Sequence, residues 1–511
     1  MMLAARDETM QNGNLKIGII QSFPATADFS GNLRRIVQGY RECLDHGAEL
    51  IIAPATALCG LAPLALTGRR SFMMQTRAAL DALAAELGSV PLLLGAYAPL
   101  LPDEADAWAR TLPDFATYPL VRVEGATPAM SIVPFELRNN TVRELPDAGL
   151  SHVCGLIAYI DINDEPTLLD DKTSVDLIIH LSTGAWHRRV GRTEQKKRRW
   201  EAAHNHCPVI CCHAVGTAEG QVYGGGSAAI DEDGRELLLM PAFREKNSVF
   251  TLGNGHPSTK DQTDDITQLH EALLRGLLDS ARGHAVEGAC LCLDHEHAPL
   301  LARLAVEAFG ARHVLGISFG RPAVPTEQLG IDGMTLELAP LLNALPDVLD
   351  AGAREAMASR LRGGLLSSLA EQKGLLLLSP LSRHDIMTGA FTLYGESCAH
   401  LLPFGDLYES DLEALRRLLR VPSPRTQAPE NPDAKARVVR LDNIIHELAN
   451  LNHSPGALIN LAADIYPENE VRYVQRRMAT SEESRRQLPP VLRVVPDSQQ
   501  LAFPIRHRLD D

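Results

Sequence analysis

Two groups of residues combine thiols, imidazoles and carboxylates closely enough in sequence to hold a metal. Cys290, Cys292, Asp294, His295 and His297 form the first, and Cys207, Cys211, Cys212 and His213 form the second. Thiolate, neutral imidazole and carboxylate are the ordinary ligands of zinc and related ions. Neither group has the spacing of a zinc finger, and the two fall in different halves of the chain. The expectation is therefore strand cysteines buried as small apolar residues, loop histidines left in solvent, and no metal. A basic run, Gln195-Lys196-Lys197-Arg198-Arg199-Trp200, lies inside a helical pattern and reads as a solvated helix face with no ligand.

The elements that position these residues follow from apolar periodicity. Lys16 to Gln21 is an apolar run closed by Pro24, which predicts a buried strand. Leu33, Ile36, Val37, Tyr40 and Cys43 then recur at helical spacing within Asn32 to His46, and Glu49 to Ala53 returns as a strand before Pro54. Further strands are expected at Val90 to Tyr97, Val153 to Ile162, Val175 to Leu181 and Val209 to Ala214, with a helix over Thr193 to His206. A hairpin about Asp231-Glu232-Asp233-Gly234 makes the first domain a mixed α/β sandwich. Residues 255–265 are polar and aperiodic and mark a linker between a domain at 1–254 and one at 266–511. In the second, helix Ile266 to Ala281, strand Gly288 to Leu293, helix Ala298 to Phe309 and strand His313 to Ser318 predict a βαβ unit of a parallel sheet.

A chain of 511 residues exceeds one hydrophobic core, and 45% hydrophobic with 22% charged residues is a globular balance. The start, Met1 to Leu15, carries Arg6, Asp7 and Glu8 and lacks a secretory apolar core, so the cytoplasm is expected. Nine cysteines, an odd number, then suggest reduced thiols. A net charge of -15 argues against nucleic-acid binding, and no segment is apolar enough to suggest a membrane.

Gly389-Ala390-Phe391-Thr392-Leu393-Tyr394-Gly395-Glu396, Pro403-Phe404-Gly405-Asp406-Leu407-Tyr408 and Ser484-Arg485-Arg486-Gln487-Leu488-Pro489-Pro490 resemble, in order and spacing, signatures of the glutamine-dependent NAD synthetase family. The resemblance spans nearly the whole chain. It implies an N-terminal nitrilase-like α-β-β-α sandwich that hydrolyses glutamine, followed by a doubly wound parallel-sheet synthetase domain of the adenine nucleotide alpha hydrolase-like kind. It also implies ATP with Mg2+ and deamido-NAD as ligands, and homo-oligomers.

In such glutaminase domains a glutamate is the general base, a lysine stabilises the oxyanion and a cysteine thiolate attacks the amide. The resemblance places Ala55, Ala109 and Ala158 at those three positions. A methyl group takes up no proton and attacks no carbonyl, so no glutamine hydrolysis is expected. Cys154 is the tempting substitute, but four residues along a strand is about 13 Å, and a plain buried thiol is expected there.

The ATP pyrophosphate loop of relatives needs glycines for close backbone approach and helix-start amides facing the anion. Its positions here hold Leu293, Asp294, His295, Glu296, His297 and Ala298, with no glycine and two acids that repel a polyphosphate. The helix after Phe319 has little room before Leu329-Gly330-Ile331, which suggests a deletion. Arg360 and Arg362 match an arginine-bearing helix of relatives, and Arg383 and Asp385 keep one basic and one acidic group of another loop. These four are the expected remnant of a nucleotide site, with Asp385 the candidate for a cation. The joint loss suggests an inactive paralogue that works by binding, either to itself or to an active NAD synthetase. The alternative is an ammonia-using ligase.

Overall fold

The computed structural model describes residues 15–61, 66–67, 69–98, 131–146, 148–162, 165–170, 173–188, 190–253, 264–320, 326–345, 348–422, 432–451, 453–462 and 464–495. These fall into two compact units, one within 15–218 and 223–253, the other within 264–495 together with 219–222. Most of the expected linker lies outside the described residues.

The first unit runs β1 (Lys16–Gln21), α1 (Phe29–Asp45), β2 (Leu50–Ile52), α2 (Arg70–Glu86), β3 (Leu92–Ala98), β4 (Ser131–Arg138), β5 (Thr141–Glu144), β6 (Gly149–Val153), β7 (Leu156–Asp161) and β8 (Leu177–Leu181). It continues with α3 (Val190–Asn205), β9 (Val209–Cys212), β10 (Val215–Ala218), β11 (Gln221–Gly224), β12 (Ala228–Ile230), β13 (Glu236–Leu239) and β14 (Lys246–Thr251). Two six-stranded sheets result, in the orders β14-β1-β2-β3-β4-β5 and β13-β12-β9-β8-β7-β6.

Period-two alternation decides which side each strand residue faces. Leu177, Ile179 and Leu181 of β8 join Ile17, Ile19, Ile52 and Leu93 in the core between the sheets. Ile178 turns the other way and packs with Ala202 of α3. Helices α1 and α2 cover the outer face of the first sheet through Ile36, Tyr40, Leu80 and Leu83. The layers are therefore α-β-β-α, as expected. One expected strand is two: β6 and β7 pair antiparallel from Val153 against Leu156. Cys154 and Gly155 between them take φ of 51° and 78°, a two-residue turn with both centres left-handed. The unbroken apolar run concealed it.

The second unit runs α4 (Asp265–Gly283), β15 (Ala289–Cys292), α5 (Ala298–Phe309), β16 (Val314–Ser318), α6 (Thr326–Leu329), β17 (Asp332–Thr335), α7 (Ala339–Asn343), α8 (Ala351–Lys373) and β18 (Leu376–Leu378). Five helices follow: α9 (Arg383–Thr388), α10 (Glu409–Leu419), α11 (Pro432–Ala449), α12 (Pro455–Leu461) and α13 (Glu468–Thr480), then a single turn, α14 (Glu482–Arg485). Asp264 and Asp350 start α4 and α8 by accepting N–H bonds from the first turn, and Gly374 ends α8 in the left-handed conformation. The sheet is parallel throughout, in the order β17-β16-β15-β18. The chain steps from β15 outward to β17 and returns to β18 on the other side. This creates a topological switch point at the carboxyl ends of β15 and β18, where open α/β sheets bind ligands. Among the described residues, the connection from β16 to β17 carries the four-residue helix α6.

Candidate functional site

In the first unit, position 55 lies three residues beyond the end of β2. Ala55 is fully buried in the inter-sheet core. Gly95 of β3 presses on it so closely that a Cβ there would stand 2.7 Å from the Ala55 Cα. Ala158 is the third residue of β7, opposite Leu177, the first residue of β8, and belongs to the same apolar cluster. The strand reads Leu-Ile-Ala-Tyr-Ile-Asp, so no residue of it offers a thiol or an aliphatic hydroxyl. Ala109 lies outside the described residues.

Cys154 sits in the β6–β7 turn, its Sγ donating to the Glu49 carbonyl at 3.5 Å. Glu49 precedes β2 and Ala55 follows it, so the thiol is at the opposite end of that strand from position 55. Burial, then Glu136 and Glu49, pushes the thiol up to about 11. On the order of one molecule in ten thousand is then thiolate near neutral pH, far too few for a nucleophile.

In the second unit, the loop after β15 ends in the turn that starts α5. Leu293 is buried and packs where a side chain on Gly316 would stand, its Cδ1 only 2.6 Å from that missing Cβ. Asp294 is exposed but engaged, accepting from Ser318 Oγ at 2.5 Å and from the Phe319 amide at 2.8 Å, which ties the ends of β15 and β16 together. Glu296 is exposed. The Ala298 amide donates to the His295 carbonyl at 3.0 Å, and Pro299 follows with no N–H to give. The helix start therefore offers an anion few amides.

His297 was expected in solvent and is fully buried instead. Its Nδ1 lies 2.6 Å from Arg416 Nη2, and its Nε2 lies 2.9 Å from Glu409 Oε1 and 3.9 Å from Asp385 Oδ2. Arginine only donates, so Nδ1 is the acceptor and the proton belongs on Nε2, facing the carboxylates. Burial, then the neighbouring His297, holds His295 below the ordinary imidazole range. It is neutral at pH 7 and gives an anion no charge.

The expected nucleotide remnant is dispersed. Arg360 is exposed. Arg383 does not face a ligand site: it is fully buried, with Nη1 on Asp406 at 2.5 Å, Nη2 on Asn450 at 2.9 Å, and its guanidinium over the Tyr408 ring. Asp385 Oδ2 accepts from both the amide and the hydroxyl of Ser382 at 2.9 Å, the capping box that starts α9. Arg362 alone faces a cavity, shared with Cys292, Asp294, His295, Glu396 and Cys398. Its volume is about 100 Å³, against the roughly 300 Å³ or more of small-molecule sites. Burial raises Glu396, but hydrogen bonds led by the Thr392 amide hold it below the usual carboxylate value.

Sequence reasoning missed Arg416 and Glu409, which reach His297 from over a hundred residues downstream with no local signal, and read Glu396 only as the end of a signature stretch. No group of three or more His, Cys, Asp or Glu among the described residues is placed to hold a metal. Burial pushes Cys290 up to about 12 and Cys292 up to about 11. No helix among the described residues is long and apolar enough to cross a membrane.

A family model described as NAD synthase matches residues 297–486. The glutamine-dependent NAD(+) synthetase of a Synechocystis species is 24% identical, with 94% of this chain and 96% of the relative covered. That of Thermotoga maritima is 23% identical, covering 82% and 83%. The crystal structure of a glutamine-dependent NAD(+) synthetase from Cytophaga hutchinsonii superposes with a TM-score of 0.76 at 13% identity, covering 97% of this chain and 98% of that one. The Acinetobacter baumannii enzyme in complex with ADP gives 0.66 at 16%, covering 96% and 98%. The chain thus resembles NAD synthetases over nearly its whole length, and residues 297–486 carry the NAD synthase match.

The match to the NAD synthase model begins at His297, so Leu293 to Glu296 fall outside it. What persists of the NAD synthetase pattern is framework in which the signatures hold one another. Tyr394, in the Thr392-Leu393-Tyr394-Gly395 stretch, donates its hydroxyl to Gln487 of the C-terminal signature at 2.7 Å. Asp406 of the Pro403-Phe404-Gly405-Asp406 turn receives Arg383 on one oxygen and the Val494 and Val495 amides on the other at 2.8 Å.

Beside this framework, His384 Nδ1 lies 3.1 Å from Asp442 Oδ1. Burial lowers the imidazole, but the hydrogen bond and charge of Asp442, with Asp385 and Glu409, outweigh it and hold His384 above its ordinary value. A base raised in the folded state contributes stability below its unfolded value, lost as pH rises through the folded one. The stability difference between wild type and His384→Gln is expected to be largest near pH 6 and to shrink above about pH 6.5. Urea titrations across that range check it, and a difference that grows with pH contradicts the assignment.

Proposed function

We propose that this NAD synthetase-like protein performs neither half of the glutamine-dependent reaction and acts by binding. The observation that carries this is the closed start of α5. The place where a polyphosphate would meet helix amides is taken by the protein's own chemistry: His297 buried between Arg416 and Glu409, the Ala298 amide already donated, and Pro299 without one. ATP with Mg2+ does not fit the residues present. Asp294 and Asp385 already accept hydrogen bonds from the protein. The first unit supports the same reading, because Ala55 and β7 provide neither base nor nucleophile. Such a protein would serve as a partner, to itself or to an active cytoplasmic NAD synthetase.

An ammonia-using ligase with residual nucleotide binding draws on Arg362, the one expected nucleotide residue that lines the cavity. Calorimetry of the full chain with ATP and Mg2+, and separately with deamido-NAD, divides the two. No binding heat is expected at ligand concentrations up to about 1 mM. Saturable binding of either ligand would revive the ligase.

A further inference from the structure

The cavity at the carboxyl ends of β15 and β18 is too small for a nucleotide, yet its wall carries opposite charges that leave each other unpaired. Arg362 and Leu366, one turn apart on α8, line it together with Glu396. Arg362 Nη2 lies 3.8 Å from Glu355, whose side chain is 77% exposed and so a weak partner. Its Nε is buried and has no hydrogen-bond partner among the described residues. A buried donor without an acceptor is costly, and a ligand that supplies the acceptor relieves that cost. Against the effect of burial, neutral donors led by the Thr392 amide at 2.9 Å hold Glu396 charged. Asp294 adds a second carboxylate to the wall. The His297 amide donates to His295 Nδ1 at 3.1 Å, so His295 keeps its proton on Nε2 and adds a neutral donor.

The wall decides what fits. A simple anion would pair with Arg362 but meet Glu396 and Asp294, and a simple cation would pair with those acids but meet Arg362. A neutral amide would reach both signs only through its dipoles. A zwitterion neutralises a guanidinium and a carboxylate at once, through charge-assisted hydrogen bonds about twice as strong as neutral ones. Size narrows the choice further. The volume of about 100 Å³ is roughly two thirds of the ~150 Å³ that holds benzene, which leaves room for about four to six non-hydrogen atoms. Leu366 and Leu378 give the cavity an apolar side against which a hydrogen or a methyl group packs.

We propose that this cavity, free of nucleotide under the function proposed above, binds a zwitterionic α-amino acid of glycine or alanine size, its carboxylate on Arg362 and its ammonium on Glu396. Calorimetry of the full chain with glycine and L-alanine tests it, in a buffer free of primary amines, with acetate, methylammonium and acetamide as single-group controls. Saturable binding with a Kd of about 1 mM or tighter is expected for at least one of the amino acids. Each control should bind at least about tenfold more weakly. Arg362→Met and Glu396→Gln should each weaken amino-acid binding by about tenfold or more, with thermal melts in the absence of ligand showing which variants are folded. Arg362 is partly exposed, so Arg362→Met keeps the test open should Glu396→Gln not fold. No saturable heat with either amino acid up to about 10 mM, a control that binds as tightly, or unchanged affinity in Arg362→Met overturns the assignment. If ATP with Mg2+ is also silent, the proposed function stands without it. ATP binding that Arg362→Met abolishes, with no heat from the amino acids, overturns both.

Discussion

Replacing Asp406 with alanine is expected to lower the stability of the second unit by about 3–5 kcal/mol. Arg383 and Asp406 are both fully buried, and the alanine leaves the guanidinium without its carboxylate in a site water does not reach. The Val494 and Val495 amides lose their acceptor in the same step. The penalty is that of stranded polar groups, and exceeds the net worth of the ion pair. In a unit of this size it corresponds to a fall of about 6–20 °C in melting temperature. Replacing both partners with apolar residues of similar volume should cost much less than the single change, because no charge is left unpaired. The comparison also separates two roles for Arg383. A nucleotide ligand could be removed with little effect on stability, whereas this arginine cannot. A loss under about 1 kcal/mol in Asp406→Ala would mean that the pair is wet and dispensable.

The second large effect concerns the glutaminase position. Ala55→Glu introduces the residue type that the resemblance implies for a general base here, and it is expected to destabilise the first unit by about 3 kcal/mol or more. The new side chain enters a sealed apolar cluster where the Gly95 backbone already touches Ala55. Its carboxylate would find no partner among Ile19, Leu93, Ala158 and Ile179. The pH dependence gives the cause. An acid whose folded value is raised destabilises more as pH climbs above the unfolded value, about 4.3. Ala55→Glu should therefore approach the wild type near pH 4 and fall behind toward pH 8. Ala55→Gln has no such slope and isolates the effect of volume. A well-folded Ala55→Glu protein with wild-type stability at pH 8 would show an open, polar pocket at this position.

Much of the architecture could be read from apolar periodicity. The βαβ unit from Gly288 to Ser318 was predicted to within one residue at each boundary, because Ala298 to Phe309 is amphipathic and ends at Gly310. The β6–β7 turn was hidden, since Val153 to Ile162 reads as one apolar run and only the backbone of Cys154 reveals the bend. That Ala55 and the strand around position 158 carry no glutamate or thiol was legible from residue type alone. How the protein fills the start of α5 was not. His297 becomes a buried residue only because α10 delivers Glu409 and Arg416 to it, and nothing near residue 297 announces that. Arg383 shows the same limit. Its kinship with a nucleotide loop was visible in sequence, and its pairing with Asp406 depends on a turn over twenty residues away.

We propose that this NAD synthetase-like protein has kept the fold and lost both reactions. The most direct test is NAD formation by the purified protein, supplied with deamido-NAD, ATP and Mg2+ and with either glutamine or ammonium. No NAD above the protein-free background is expected with either nitrogen source. Sustained turnover with glutamine would contradict it for both units, and turnover with ammonium alone would contradict it for the second.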